Sequence, residues 1–286
     1  MSRFKRIDSA AESQLLFMGH TIKRNEDSVG PRATTSDSGR PGLAIELTGI
    51  EKVFDTGSRP FAALRGVDLA IRTGSFVAIM GPSGSGKSTL LHCAAGLDTP
   101  TAGSVYLEGR PLAGLSEDAL AKFRRRHAAF VFQAFNLLPT LTVQRNVELP
   151  MLLSGDRIDR QAVADAIRRV GLDDRADRLP GELSGGQQQR VAIARALTSH
   201  AEVIFADEPT GALDTETAAE VLRLLRAAVS EHRRTVLMTT HDPIAASTAD
   251  YVVIVVDGRI AATIESPTPA RVASTLNEVA GSRITR

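Results

Sequence analysis

Cysteine is nearly absent: Cys93 stands alone among 286 residues. One thiol excludes an internal disulfide and a Cys-based zinc site, and its place after a glycine-rich turn reads as an inert buried thiol. Long apolar runs are lacking too. Val252 to Val256 is among the longest and is far too short to span a bilayer, so any membrane role comes through a partner. Neither sign of charge is in excess. The net charge is +1, which removes the electrostatic case for a nucleic-acid binder. The rest is ordinary for a soluble globular protein, with 43% hydrophobic and 23% charged residues. At 30.5 kDa the chain can build a real core in one large domain or two smaller ones.

Residues 1 to about 42 show little periodic pattern and are rich in Ser, Thr, Asp, Gly and Arg. Leu15 to Met18 is too short for a signal-peptide core. The expectation is a mostly disordered extension, with Met18 an alternative start.

The densest information lies in Phe76 to Leu91. An apolar strand, Phe76 to Met80, runs into a glycine-rich turn, and a helical pattern begins at Lys87. Gly81, Pro82, Ser83, Gly84, Ser85, Gly86, Lys87, Ser88 and Thr89 spell G-x-x-x-x-G-K-S and its next residue, a phosphate-binding P-loop in strand–loop–helix context. The glycines let successive N–H groups turn inward as an anion nest, and the helix N-terminus adds its own unpaired donors. Lys87 is positioned to reach the β- and γ-phosphates, and the Ser88 hydroxyl to hold Mg²⁺. The four fixed positions arise by chance in roughly one chain in a hundred of this length.

Around this loop the chain reads in order as follows. Ala44 to Leu47, Val67 to Ile71 and Ser104 to Leu107 are short strands, the alternation at Val67, Leu69 and Ile71 indicating a half-exposed antiparallel sheet. Phe54 falls in a loop-like stretch and is either a core staple or a ring for a base to stack on. A helix capped by Ser116 ends in the basic cluster Arg124 to His127. Ala128 to Phe132 is a buried strand ending at Gln133, and Pro139 and Pro150 bracket an irregular stretch. Asp159 caps a helix that Gly171 stops. Residues 134 to 200 thus form a helical section between strand-rich parts.

Leu183 to Arg190 opens with Ser184, Gly185, Gly186 and Gln187, a capping box whose two glycines are costly unless something approaches that backbone closely. An anion would suit such a site; simple capping is the alternative. Val203 to Glu208 is an apolar strand ending in two carboxylates, Asp207 and Glu208, which strand geometry points in opposite directions. Thr235 to Thr240 is another buried strand with His241 just beyond it. Asp242-Pro243 starts a short helix, Val252 to Ile264 is a terminal hairpin turning at Asp257-Gly258, and a short helix ends the chain.

In parallel α/β sheets, ligands bind outside the carboxyl ends of the strands. Gly81, Gln133, Asp207 and His241 each stand at such an end, and none of the other five histidines has comparable placement. Over about residues 43 to 265 the chain therefore resembles the nucleotide-binding subunit of an ATP-binding cassette (ABC) transporter. The resemblance rests on the P-loop, the Q-loop Gln133, the signature Leu183 to Gln187, the Walker B run Val203 to Glu208, the D-loop Gly211 to Asp214 and the H-loop His241. The wording of Phe135 to Thr142, Asn146 to Pro150 and Leu183 to Arg190 is similar to the group holding macrolide-export, lipoprotein-release and cell-division ATPases. Phe54 stands where that group usually has an adenine-stacking Tyr, and residues 1 to 42 have no counterpart.

The resemblance implies an α/β P-loop NTPase (RecA-like) core with an antiparallel β subdomain and a helical signature subdomain over about residues 134–200, followed by a tail over 266–286. It implies ATP and Mg²⁺ as ligands, the metal held by Ser88, Asp207 and Gln133. Glu208 would polarise the attacking water, with Lys87 and His241 on the phosphates and Phe54 on the base. Ser184, Gly185, Gly186, Gln187 and Asp214 would meet the nucleotide across a head-to-tail dimer, because one chain carries one P-loop and one signature. The partners implied are a second copy and a separately encoded permease touching residues 134–151, with the protein on the cytoplasmic face of the membrane. An ATPase that regulates a transmembrane partner without transport is the alternative. A nucleic-acid-directed cassette lacks support from charge or insertions, and a P-loop kinase would leave the signature without purpose.

Overall fold

A computed structural model describes residues 42–55 and 59–281. The extension expected over residues 1–42 lies outside this range, Gly42 excepted. The described residues start with two long strands, β1 (Leu43–Phe54) and β2 (Phe61–Arg72), then β3 (Phe76–Met80), the glycine loop and α1 (Lys87–Ala94). Next come β4 (Ala102–Leu107), β5 (Arg110–Pro111), α2 (Glu117–His127) and β6 (Ala128–Phe132). Three helices follow without a strand between them: α3 (Val143–Ser154), α4 (Arg160–Arg169) and α5 (Gly185–Leu197). The chain then forms β7 (Val203–Asp207), α6 (Thr215–Ser230), β8 (Thr235–Thr240), α7 (Pro243–Ala246), the hairpin β9 (Tyr251–Val256) and β10 (Arg259–Glu265), and α8 (Pro269–Gly281).

Two sheets result. Strands in the order β2-β1-β4-β5 make an antiparallel sheet, and β10-β9-β3-β8-β7-β6 make a larger one whose β6, β7, β8, β3 and β9 run parallel. Covering both faces of a parallel sheet favours strands that are largely apolar, and every residue of β3 and β8 is buried, the three threonines of β8 included. Alternate residues serve opposite layers. Phe76, Ala78 and Met80 pack with the helices of one core, while Val77 and Ile79 pack with α1 and the antiparallel sheet in the other. The α1 helix is therefore clamped between the two sheets, which is what fixes the P-loop.

Several elements differ from the sequence expectation. Phe54 is the last residue of β1, paired with Phe61 of β2, rather than a loop residue. Register shifts at Leu47/Ile50 and beyond, with Gly49 at φ 59°, break the period-two pattern, so the strand outruns its alternation. The stretch before Pro150 is the helix α3, with the proline inside it. Thr142 caps it by accepting the Arg145 N–H. The buried Asn146 amide bonds the backbone of Leu138, Leu141 and Thr142, tying the preceding loop to the helix. These contacts offset the one ladder bond that proline removes. Strand β7 stops at Asp207. Glu208 lies beyond it in the left-handed region at φ 47°, so a backbone reversal, not strand alternation, separates the two carboxylates. Among the described residues no helix is long and apolar enough to cross a membrane.

Candidate active site

The strand ends are level. Met80 pairs with Thr240, Asp207 with both Thr239 and Phe132, so Gly81, Gln133, Glu208 and His241 leave the sheet at one edge. The loop from Gly81 to Ser88 is built by close approaches that only glycine permits. A Cβ on Gly81 would lie 2.0 Å from the Val255 carbonyl oxygen, and one on Gly86, at φ 102°, would lie 2.5 Å from the Ala63 oxygen. The hairpin turn at Gly258 braces the loop, donating its N–H to the Ser85 oxygen at 2.9 Å and accepting the Arg65 N–H at 2.9 Å. Lys87 is buried and spans the loop, its Nζ donating to the carbonyls of Gly81 (3.0 Å) and Pro82 (3.1 Å). Both bonds are replaceable by phosphate oxygens.

Two side chains reach one carboxylate oxygen. Ser88 Oγ donates to Asp207 Oδ1 at 2.9 Å, and Thr239 Oγ1 donates to the same oxygen at 2.5 Å. On the other oxygen, Oδ2, His92 Nε2 lies 3.4 Å away. Burial pushes the Asp207 carboxyl up, but His92, Thr239 and Ser88 together outweigh it and hold it below the ordinary carboxyl value. Thr239 also serves Glu208, whose N–H donates to the Thr239 hydroxyl (3.0 Å) and carbonyl (3.2 Å). The Glu208 carboxylate in turn meets His241 Nδ1 at 2.9 Å. Phosphate loop, metal-type oxygen donors, carboxylate and imidazole are thus brought together in one chain.

Two of these residues stand outside the sequence expectation. His92 has a placement as pointed as that of His241, correcting the view that the other histidines lack one; its signal is the i,i+4 spacing from Ser88, which puts both on one helix face. Thr239 is legible only through the β7–β8 register.

Gln133 is exposed at the end of β6, and its amide rests on Gly211, where a Cβ would come within 3.0 Å of Nε2. The loop after it is held in an unusual shape. Phe135 (φ 60°) and Asn136 (φ 49°) are both left-handed, and Arg195 of α5 donates to both of their carbonyls. Burial lowers the Arg195 pKa to about 10.

The signature residues do not join this cluster within one chain. Ser184 and Gln187 close both halves of a capping box at the start of α5. That helix packs on α3, α4, α6 and β6, whereas α1 packs on the two sheets. A Cβ on Gly186 would lie 2.1 Å from the Thr217 methyl and one on Gly185 would lie 3.4 Å from the Phe135 ring, so neighbours in the same chain require at least the first of these glycines. Asp214 caps α6, accepting the N–H groups of Glu216 and Thr217 and the Thr217 hydroxyl. The buried Gln189 links the two regions by donating to the Pro209 oxygen at 2.7 Å, directly after Glu208.

Phe54 is 36% exposed and its cross-strand partner Phe61 is 52% exposed. Lys52 Nζ lies 5.0 Å from the centre of the Phe54 ring and is itself fixed by Asp98 at 2.5 Å and the Thr99 carbonyl at 2.7 Å. Ala63, which touches the P-loop glycine, is two positions along β2 from Phe61, about 7 Å. The two rings therefore sit at the end of the β1–β2 pair whose Ala63 approaches the glycine-rich loop. Cys93 is fully buried, and burial raises its thiol to about 12, as an inert core thiol requires.

Known proteins are similar to this chain. Residues 64–211 match the ABC transporter family. The macrolide export ATP-binding/permease protein MacB of Salmonella typhimurium is 45% identical over 218 residues, covering 76% of this chain and 34% of that protein. The chain thus spans about a third of the length of its MacB relatives. The Bacillus subtilis ABC transporter ATP-binding protein YknY is 45% identical over 218 residues, 76% of this chain and 94% of that one. Among solved structures, the dimeric post-hydrolysis state of the ATP-binding cassette MJ0796 with ADP and Pi superposes with a TM-score of 0.73 at 40% identity, covering 78% of this chain and 99% of the other. With the P-loop, the paired carboxylates and the histidine at one sheet edge and the signature helix apart from them, the chain belongs to the ABC transporter family.

Proposed function

We propose that this cassette binds Mg-ATP between two copies of itself and uses hydrolysis to power a membrane permease of the exporter or lipoprotein-release type. The observation that carries this reading is the division of the motifs. Lys87, Ser88, Asp207, Glu208 and His241 converge in one chain, while Ser184 and Gly186 sit on a separate helix face. A head-to-tail pair supplies each site with the other copy's signature, and MJ0796 is a dimeric cassette.

The donor set fits Mg²⁺. Ser88 Oγ and Asp207 Oδ1 are hard oxygens already in contact, and among the described residues no three His, Cys, Asp or Glu side chains form a metal cage. Mg²⁺ uses one or two carboxylates plus phosphate oxygens and water, so Ser88 and Asp207, with Gln133 completing the shell, would hold it. There it would neutralise charge on the phosphate oxygens. The chain's own groups do the rest. The P-loop N–H groups and Lys87 bind the phosphates and stabilise charge on the transferring phosphoryl group. Glu208 accepts a proton-side hydrogen bond from the attacking water and orients it. His241, held by Glu208, contacts the γ-phosphate. Phe54 stacks the base on the ring face away from Lys52.

The coupling surface we assign to residues 134–151, next to Gln133, whose loop Arg195 and Asn146 hold in place. The protein would then sit on the cytoplasmic face of the membrane through its permease. MacB, by its name, joins ATP-binding and permease functions in one protein, which supports a permease as the partner of this cassette. Affinity purification of the chain from detergent-solubilised membranes tests it. A protein with several transmembrane helices should co-purify and stimulate ATP hydrolysis; recovery of the chain alone contradicts the permease assignment.

A further inference from the structure

We propose that His92 is a positioning residue for the Asp207 carboxylate, holding Oδ2 so that Oδ1 stays directed at Ser88. The inference rests on the reading of Asp207 as the metal-facing carboxylate.

A carboxylate rotates readily about its last side-chain bond, because that torsion is broad and two-fold. Donors on both oxygens are therefore needed to fix its plane. Ser88 and Thr239 both serve Oδ1, at 2.9 and 2.5 Å. They lie on different elements, α1 and β8, but on one oxygen they form a pivot. His92 Nε2, 3.4 Å from Oδ2, supplies the second point. At that separation the contact is an ion-pair approach rather than a formed hydrogen bond, and an N–H on Nε2 makes it attractive.

The fold holds His92 for this task. It is one helical turn after Ser88, so both reach the same carboxylate from one face of α1. Its carbonyl accepts the N–H groups of Leu97 (2.9 Å) and Asp98 (3.2 Å), which pin the end of the helix. The ring is 35% exposed against 18% for the Asp207 side chain. Solvent thus weakens the contact, which sets the expected effect at the lower end of the 10- to 100-fold that losing an outer-shell partner of a metal ligand costs.

The test compares His92→Ala, His92→Gln and Asp207→Asn in the full chain. Mn²⁺ binding in the presence of a non-hydrolysable ATP analogue is followed by electron paramagnetic resonance, and binding of a fluorescent ATP analogue is measured in EDTA. His92→Ala should raise the Mn²⁺ concentration for half-saturation about 10-fold while leaving nucleotide binding in EDTA within about twofold. His92→Gln, whose amide N–H can approach Oδ2 from the same position, should recover most of the loss. Asp207→Asn should weaken Mn²⁺ binding more than His92→Ala. If Asp207→Asn weakens Mn²⁺ binding and His92→Ala does not, the role of His92 is refuted and that of Asp207 stands. If Asp207→Asn changes nothing, the metal reading itself fails and takes this inference with it. Equal loss of nucleotide binding with and without metal in His92→Ala would show a packing role and overturn the proposal.

Discussion

Thr239→Val isolates one contact at the centre of the site. Thr239 is fully buried, donates to Asp207 Oδ1 at 2.5 Å and accepts the Glu208 N–H at 3.0 Å. Valine fills nearly the same space, so no cavity term enters. The Glu208 N–H keeps the Thr239 carbonyl at 3.2 Å as a partner and is not orphaned. What is lost is a hydrogen bond to an ionised, largely buried acceptor, worth about 1.5–3 kcal/mol. Urea unfolding at pH 7, followed by far-UV circular dichroism, should therefore show a destabilisation of about 2 kcal/mol. The pH dependence has a definite sign. The Asp207 carboxyl is held below its ordinary value of 3.8 in the folded protein. Its bonds therefore contribute fully above that value, and the contribution is lost as pH falls through the lower, folded one. The gap between the two proteins should stay constant from about pH 8 to pH 5 and close only in stronger acid. A gap under about 0.5 kcal/mol at pH 7, or one that vanishes between pH 7 and pH 5, would refute the argument.

Three further substitutions probe other parts of the site. Phe54→Ala should weaken binding of a fluorescent ATP analogue about 10-fold, since base–aromatic stacking is worth about 1–3 kcal/mol, and Phe54→Tyr should bind normally; an unchanged affinity in the alanine variant would remove the ring from the base site. Gly258→Ala places a Cβ 2.5 Å from the Ala63 oxygen at φ 72°. It should cost about 1–3 kcal/mol in unfolding and weaken ATP binding through the Ser85 contact; normal ATP affinity would show that the turn does not brace the loop. Ser184→Ala removes a helix cap worth about 1 kcal/mol and should depress steady-state hydrolysis at least tenfold with ATP affinity of the single chain intact, whereas equal loss of both would contradict action across an interface.

Much of the site is legible in the sequence because its residues stand at strand ends marked by apolar runs. Phe76 to Met80 and Thr235 to Thr240 read as buried strands for the reason they are buried, and the positions after them fall on one sheet edge. The caps at Ser116 and Asp159 and the capping box at Ser184 are equally local, and each appears in the structure. What escapes a reading by pattern depends on register or on distant contacts. The far half of β1 lies beyond register shifts, α3 survives Pro150 through Asn146 and Thr142, and Thr239 matters because it pairs with Asp207. Gly258 is the clearest case. Its turn chemistry predicts a hairpin, but its contact with the P-loop joins residues that are remote in the chain, and no local signal carries it.

The central claim is that Glu208 acts in hydrolysis within a site completed by a second copy. Light scattering coupled to size-exclusion chromatography of Glu208→Gln, with and without ATP, tests it most directly, because the substitution keeps the shape of the side chain and removes its charge. The account predicts a single chain of 30.5 kDa without nucleotide and a particle of twice that mass with ATP. Hydrolysis should fall at least 100-fold, as expected when an activating carboxylate is neutralised. A single-chain mass in ATP together with unchanged turnover would contradict both the role of Glu208 and the shared site.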